Sequence, residues 1–330
     1  MPRRNLNGLM TVIWIANAVI LMIAAAGYAW YTTTVPARPP DPTQNPAPPL
    51  DEPNNTPRPN PTITPVPPPT QRPTITLWPS PSPGPSLTAA VGLPKNAIVI
   101  GYTLERRPLE VYRFGNGPVH KLIVAGIHGG YEWNTIALAD ELINYLQDHP
   151  EHIPSDVTLY ILHDLNPDGL ARGKTPDGRA NANNVDLNHN WPYNWAADWS
   201  REGCFNERIL SAGSGPGSEL EVRALMLFIN QIRPAALISY HSAALGIFPG
   251  GRPDFPASIR LAAAVAAVTD YPYPPINTHC DYTGNMTDWA ANTQSIPSLD
   301  IELTNHQDTD FDQNLKVLQV FLSWSAVDKK

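Results

Sequence analysis

Fifty residues, from Pro36 to Pro85, contain 20 prolines, whereas the other 280 residues of the chain hold 18. Proline has no N–H to donate and fixes φ, so a stretch this dense in it cannot build helices or sheet ladders. The intervening Thr, Ser and Asn offer little apolar surface for a core. The segment is therefore read as a disordered linker, residues 32–88, extended at about 3.1 Å per residue. That excludes a single globular body spanning all 330 residues and leaves residues 89–330 as one domain, long enough for a substantial core.

Before the linker, no charged residue occurs between Asn5 and Val35, and Leu9 to Tyr31 is a mostly apolar run. This is about the 20 residues a helix needs to cross a bilayer. Residues 9–31 are expected to form a transmembrane anchor with residues 1–8 as a cytoplasmic tail. Arg3 and Arg4 precede the run, so the positive-inside bias places the N-terminus in the cytoplasm and the folded domain outside. The alternative is a signal peptide cleaved near Ala26, since Ala24, Ala25 and Ala26 are small enough for a cleavage site. In either case the linker is expected to act as a stalk or spacer. Both cysteines, Cys204 and Cys280, fall in the exported part, where one disulfide can form; the sequence leaves their pairing open.

Residues 1–88 hold five Arg and three acids, so the net charge of −8 divides into +2 there and −10 in the domain. An acidic domain with no basic stripe argues against nucleic acid as a partner.

Within the domain, short β-type runs lie at 97–102, 109–114 and 122–125, followed by a helical pattern at 135–146 and a strand at 157–162. A further helix spans 218–232, with Ser218 and Glu221 spaced as a capping box. Then come a strand at 235–240, a helix at 257–268, a strand at 297–303 and a helix at 311–325. Strands alternating with helices predict an α/β fold: a mixed, mostly parallel sheet with helices on both faces.

The polar residues that follow these strands carry the chemistry. His128 comes after an apolar run, and Glu132 follows after Gly129, Gly130 and Tyr131. Imidazole and carboxylate are zinc-ligand types, although such a pair also occurs where a helix starts. His241 emerges at the end of another strand, a position also taken by capping or core histidines. In Ser298–Leu303 the two-residue period puts Leu299, Ile301 and Leu303 on one face and Asp300 and Glu302 on the other. Glu302 points into a site if this strand is central and into water if it is an edge. Asp308, Asp310 and Asp312 alternate faintly like a calcium loop but lack its glycine and closing glutamate. Trp191, Tyr193, Trp195 and Trp199 form an aromatic cluster that suits either packing or a groove wall.

In order along the chain, the pieces GIHGGYE, NPDG, NVDLNHN, GPGSELE, SYHS, TDWA and LDIEL resemble the zinc carboxypeptidase family over about residues 97 to 325. The resemblance implies one Zn2+ held by His128, Glu132 and His241, with Glu302 as general base. It makes Arg179 the stabiliser of the oxyanion, with Arg172 second in line. Asp186 would orient the first zinc histidine, while Asn188, His189 and Tyr282 would contact substrate; Tyr273 is the alternative to Tyr282. The chain departs from the family at three points, one being that the family's mobile active-site tyrosine has no single match, Tyr282 or Tyr273. Three residues rather than two separate His128 from Glu132, which requires a local bulge, and His189 stands where the family carries a carboxylate-clamping arginine. His189 lacks the guanidinium fork and makes the charge pH-dependent.

The resulting expectation is a membrane-tethered, zinc-dependent peptidase that hydrolyses a peptide amide bond near a chain end, with cell-wall peptides as one possible substrate. The competing readings are a non-catalytic peptide- or wall-binding module on the same fold and a small-molecule amide hydrolase.

Overall fold

The computed structural model describes residues 96–243 and 245–326. The expected tail, anchor and stalk at 1–8, 9–31 and 32–88 lie outside these residues. Among the described residues, no helix is long and apolar enough to cross a membrane.

Seven strands make one sheet: β1 (Ala97–Tyr102), β2 (Pro108–Gly115), β3 (Val119–Val124), β4 (Val157–Leu162), β5 (Ala236–Ser242), β6 (Ile247–Pro249) and β7 (Ser298–Leu303). Their spatial order is β1-β2-β4-β3-β5-β7-β6. The four central strands run parallel, and β1, β2 and β6 add antiparallel pairs at the two edges. The sheet is thus mixed, as expected, but its parallel character is confined to the centre. β4 and β5 are buried along their whole length, which is why they read as continuous apolar runs.

Among the described residues there are six helices: α1 (Trp133–Asp148), α2 (Pro167–Ala171), α3 (Leu220–Ile232), α4 (Pro256–Ala266), α5 (Met286–Gln294) and α6 (Phe311–Ser323); all but the short α2 pack on the two faces of the sheet. α1, α4 and α6 share one core with Ile238, Tyr240, Leu299 and Ile301. α3 and α5 share the other with Leu122, Val124 and Leu237. Lys121 is buried in the sheet centre, where its ammonium donates to the carbonyls of Phe321, Leu322 and Trp324 at the end of α6. A buried lysine is tolerable there because the helix C-terminus supplies acceptors and the negative end of the helix dipole.

Two local expectations need correction. The capping box at Ser218 does not form. The helix begins at Leu220 with no side-chain cap, and Ser218 donates its hydroxyl to Glu219 instead. Glu219 is meanwhile held by the amides of Asn181 and Asn183, so long-range partners override the local motif. The helix α5 shows no apolar period in the sequence, because MTDWAANTQ is largely polar. Its signal was Asn285, whose side chain accepts from the N–H groups of Thr287 and Asp288.

Candidate metal centre and cleft

Because β3, β5 and β7 are parallel, the residues at their C-terminal ends open on one edge of the sheet, where such folds bind ligands. A cleft of about 320 Å³ lies there, lined by His128, Glu132, His241, Arg179, Glu302 and their neighbours. β7 lies between β5 and β6, so it is not an edge, and Glu302 faces this cleft rather than bulk water.

The extra residue between His128 and Glu132 is accommodated by a turn. Gly129 has φ +46°, and its N–H donates to Gly126; Tyr131 N–H then bonds back to His128. A Cβ on Gly130 would come within 2.2 Å of the Gly173 carbonyl, so neither glycine has room for a side chain in this turn. Glu132 reaches the site at the position just before α1. One ligand atom from each of His128, Glu132 and His241 lies within 4.8 Å of the other two.

The Nδ1 atoms face the shared point. His128 Nδ1 is 2.7 Å from Glu132 Oε1, and His241 Nδ1 is 3.3 Å from Oε2. The Nε2 atoms are supported from behind. His128 Nε2 lies 3.2 Å from Asp186 Oδ1. His241 Nε2 lies 3.1 Å from Ser239 Oγ and 3.4 Å from Asp300 Oδ1, the latter outside hydrogen-bond geometry but within ion-pair reach. Asp300 is itself fixed, accepting from Asn285 Nδ2 and Thr287 Oγ1. Two imidazole nitrogens and a carboxylate converging on one point, each imidazole backed at its other nitrogen, form a donor set suited to one zinc ion with an open position.

Charge is dense at this point. Burial opposes ionisation of Glu132, but His128 and His241 outweigh it and hold the carboxyl well below the ordinary range. Burial likewise opposes charge on His241, and Asp300 with Glu132 overcomes it and raises the imidazole. Glu302 behaves in the opposite way. Burial, reinforced by the neighbouring Glu132 charge, pushes it up to about 8, and its buried Oε2 has no hydrogen-bond partner. Glu302 thus presents a carboxyl group with an unpartnered oxygen toward the metal donor set.

Arg179 lies over the metal ligands, with Nε 2.9 Å from Asp186 Oδ2 and Nη1 3.1 Å from Glu132 Oε1. Arg172 does not line the cleft and instead donates to the carbonyls of Ala180 and Asn181. Asn188 accepts from Met286 N–H through Oδ1 and lines the cleft. Tyr282 also lines it, while Tyr273 packs against the core under α1, α4 and α6. Of the aromatic cluster only Trp199 lines the cleft, and Trp191 is wholly buried against Trp289.

His189 lines the cleft but does not supply a pH-dependent charge near neutrality. It stacks on Trp199 with ring centroids 3.8 Å apart, and its Nδ1 is 3.3 Å from Thr283 Oγ1. Burial, together with nearby Arg179, His128 and Arg201, lowers its pKa to about 4, so the ring is neutral at pH 7. Cys204 and Cys280 form a disulfide that joins the two loops forming one wall of the cleft. The calcium reading finds no support. Asp310 accepts from Thr304 N–H and Tyr271 OH, Asp308 accepts from Asn305, and the only metal-type cluster among the described residues is the one above.

A His-Glu-His donor set at the C-terminal edge of a mixed α/β sheet, with a buried carboxylate opposite, defines a metallohydrolase of the carboxypeptidase type. The chain matches the zinc carboxypeptidase family over residues 95–320 and belongs to it. It is 34% identical over 126 residues to murein peptide amidase A of Escherichia coli K12, an alignment covering 36% of this chain and 48% of that one. It is 30% identical over 213 residues to murein peptide amidase A of Vibrio campbellii, covering 62% and 76%. The match thus spans about half the length of the first of these relatives. The crystal structure of the murein-tripeptide amidase from Escherichia coli O157 shares the fold, with TM-score 0.52 and 24% identity over 73% of this chain and 96% of that one.

Proposed function

We propose that this chain is a zinc-dependent peptidase that hydrolyses an amide bond near the end of a peptide, and that its substrates are cell-wall peptides. The observation that carries the reading is the convergence of both Nδ1 atoms and the Glu132 carboxylate beside Glu302, whose buried Oε2 has no hydrogen-bond partner. His128, Glu132 and His241 would hold the ion, which supplies Lewis-acid polarisation and lowers the pKa of a water it binds.

The chain's own residues account for the rest. Glu302, which faces the metal donors across the cleft, accepts the proton of the attacking water as the ionised carboxylate and returns it to the departing amine. Arg179, locked by Asp186 and Glu132, presents a fixed cation to the oxyanion developing on the scissile carbonyl. Asn188 and Tyr282 flank the bound peptide. The relatives named murein peptide amidase support cell-wall peptide as the substrate class. The charge-free run 9–31 behind Arg3 and Arg4, and the proline-rich stretch after it, support a domain held outside the cell on a stalk.

The decisive experiment measures zinc stoichiometry together with hydrolysis of a synthetic murein tripeptide by the wild type and by Glu302→Gln. One zinc per chain with activity only in the wild type is expected. A metal-free protein, or equal rates from both, would overturn the reading.

A further inference from the structure

The position that the family resemblance assigns to a carboxylate clamp is His189, a neutral ring between Trp199 and Thr283. A peptide carboxylate entering this acidic domain therefore needs a different cation. Among the described residues the cleft is lined by three arginines, Arg179, Arg201 and Arg252, and by no lysine. Arg179 is engaged by Asp186 and Glu132. Arg201 lies flat on Trp199, 3.4 Å from the ring centroid, and donates Nη2 to the Leu210 carbonyl and toward Asp198.

Arg252 is different. Its Nε donates to the buried carboxylate of Asp288 at 2.7 Å, and its guanidinium carbon lies 4.9 Å from the centroid of Tyr282. Its backbone is fixed as well, the N–H donating to Asn292 and the carbonyl accepting from Tyr193 OH. Both terminal nitrogens lack a hydrogen-bond partner among the described residues, and the side chain is 46% exposed. One edge and one face of the guanidinium are thus held by protein, leaving the two-nitrogen edge free. That edge matches a carboxylate in bidentate geometry, and holding the fork in advance reduces the entropy lost on binding.

We propose that Arg252 is a specificity-determining residue that binds a carboxylate of the peptide substrate in place of the missing clamp. Asp288 and Tyr282 are its positioning residues. This assignment rests on the peptidase reading for its substrate class, but its chemistry can be tested without turnover. The carboxylate can be the α-carboxylate of the last residue or an acidic side chain, and the substrates below separate the two.

The test uses the zinc-loaded chain and three matched peptides: one with a free terminus and an acidic last side chain, its C-terminal amide, and its side-chain amide. Steady-state hydrolysis is measured for the wild type, Arg252→Gln, Arg252→Lys and Arg201→Gln, and binding of the same peptides by calorimetry in the Glu302→Gln background. Loss of the fork is expected to raise KM about 10–100-fold for the carboxylate-bearing peptide with kcat little changed. The analogue that lacks the recognised carboxylate should respond little, and Arg252→Lys should recover part of the loss. Discrimination lost against the C-terminal amide identifies the α-carboxylate; discrimination lost against the side-chain amide identifies the acidic side chain. The proposal is overturned if Arg252→Gln weakens all three peptides alike, if Arg201→Gln and not Arg252→Gln removes the discrimination, or if the wild type shows none. Arg252-dependent binding without hydrolysis would retain the proposal and remove the peptidase reading. If Arg252→Gln does not fold, the Arg252→Lys and wild-type binding series decides.

Discussion

His241 and Glu302 are register partners on the adjacent parallel strands β5 and β7. One is a metal donor and the other the proposed base, and Ser239 and Asp300 pair one step earlier on the same face. The opposite face of both strands carries Ile238, Tyr240, Leu299 and Ile301 into the core. The spacing of His241 and the proposed base is therefore set by the sheet itself, whereas His128 and Glu132 come from the turn after β3.

Replacing Glu302 by Gln keeps the shape and removes the proton acceptor. Activity should fall by about 10²–10⁴-fold, the usual worth of a positioned general base, with zinc stoichiometry unchanged. Metal analysis beside rate measurement checks both halves.

Asp300 should act through His241. Asp300→Asn is expected to weaken zinc retention by about 10–100-fold, read by competition with a chelator. Glu302→Gln should match the wild type in the same assay, which separates support of the metal from proton transfer.

Arg179 and Arg172 should differ sharply. Arg179→Gln is expected to lower kcat by about 10²–10³-fold, as for loss of one oxyanion donor, whereas Arg172→Gln, bonded only to backbone carbonyls and near Glu105, should leave kcat near wild type. Single-turnover rates at saturating peptide compare them directly.

His189 should make folding stability depend on pH. Its pKa drops from an ordinary 6.5 to about 4 on folding, so between these values the unfolded chain binds the extra proton. Stability is then fully present above pH 6.5 and is lost as pH falls toward 4, by up to about 3 kcal/mol. Urea titrations of wild type and His189→Gln at pH 7 and pH 4.5 check this. The acidic loss should be smaller in the variant, in which carboxylates such as Asp186 and Glu132 still titrate.

Opening the Cys204–Cys280 disulfide should loosen the cleft wall. The bridge closes a loop with a sequence separation of 76, for which chain entropy predicts up to about 4 kcal/mol. The Cys204→Ser, Cys280→Ser double variant should melt earlier and show a raised KM. An unchanged KM would mean the wall holds its shape without the bridge.

The alternation in SYHS and LDIEL revealed which side chains leave the core, and the ordered motifs assigned His128, Glu132, His241, Arg179 and Glu302 to one cleft; the structure brings all five there. What the sequence hid depends on distant neighbours. Ser218 forms no capping box because the amides that hold Glu219 come from Asn181 and Asn183. The low basicity of His189 comes from burial and from charges brought in by other loops. Arg252 gains its orientation from Asp288, 36 positions further on, and no local pattern marks such a pairing.

The sheet order also sets the sequence in which the chemistry can assemble during synthesis. β7 enters between β5 and β6, and it is made after both. A nascent chain that has reached only β6 contains all three metal donors but not Glu302. Asp300, which backs His241, lies on the same strand as Glu302, so the support of the second zinc histidine and the proposed base join the site together.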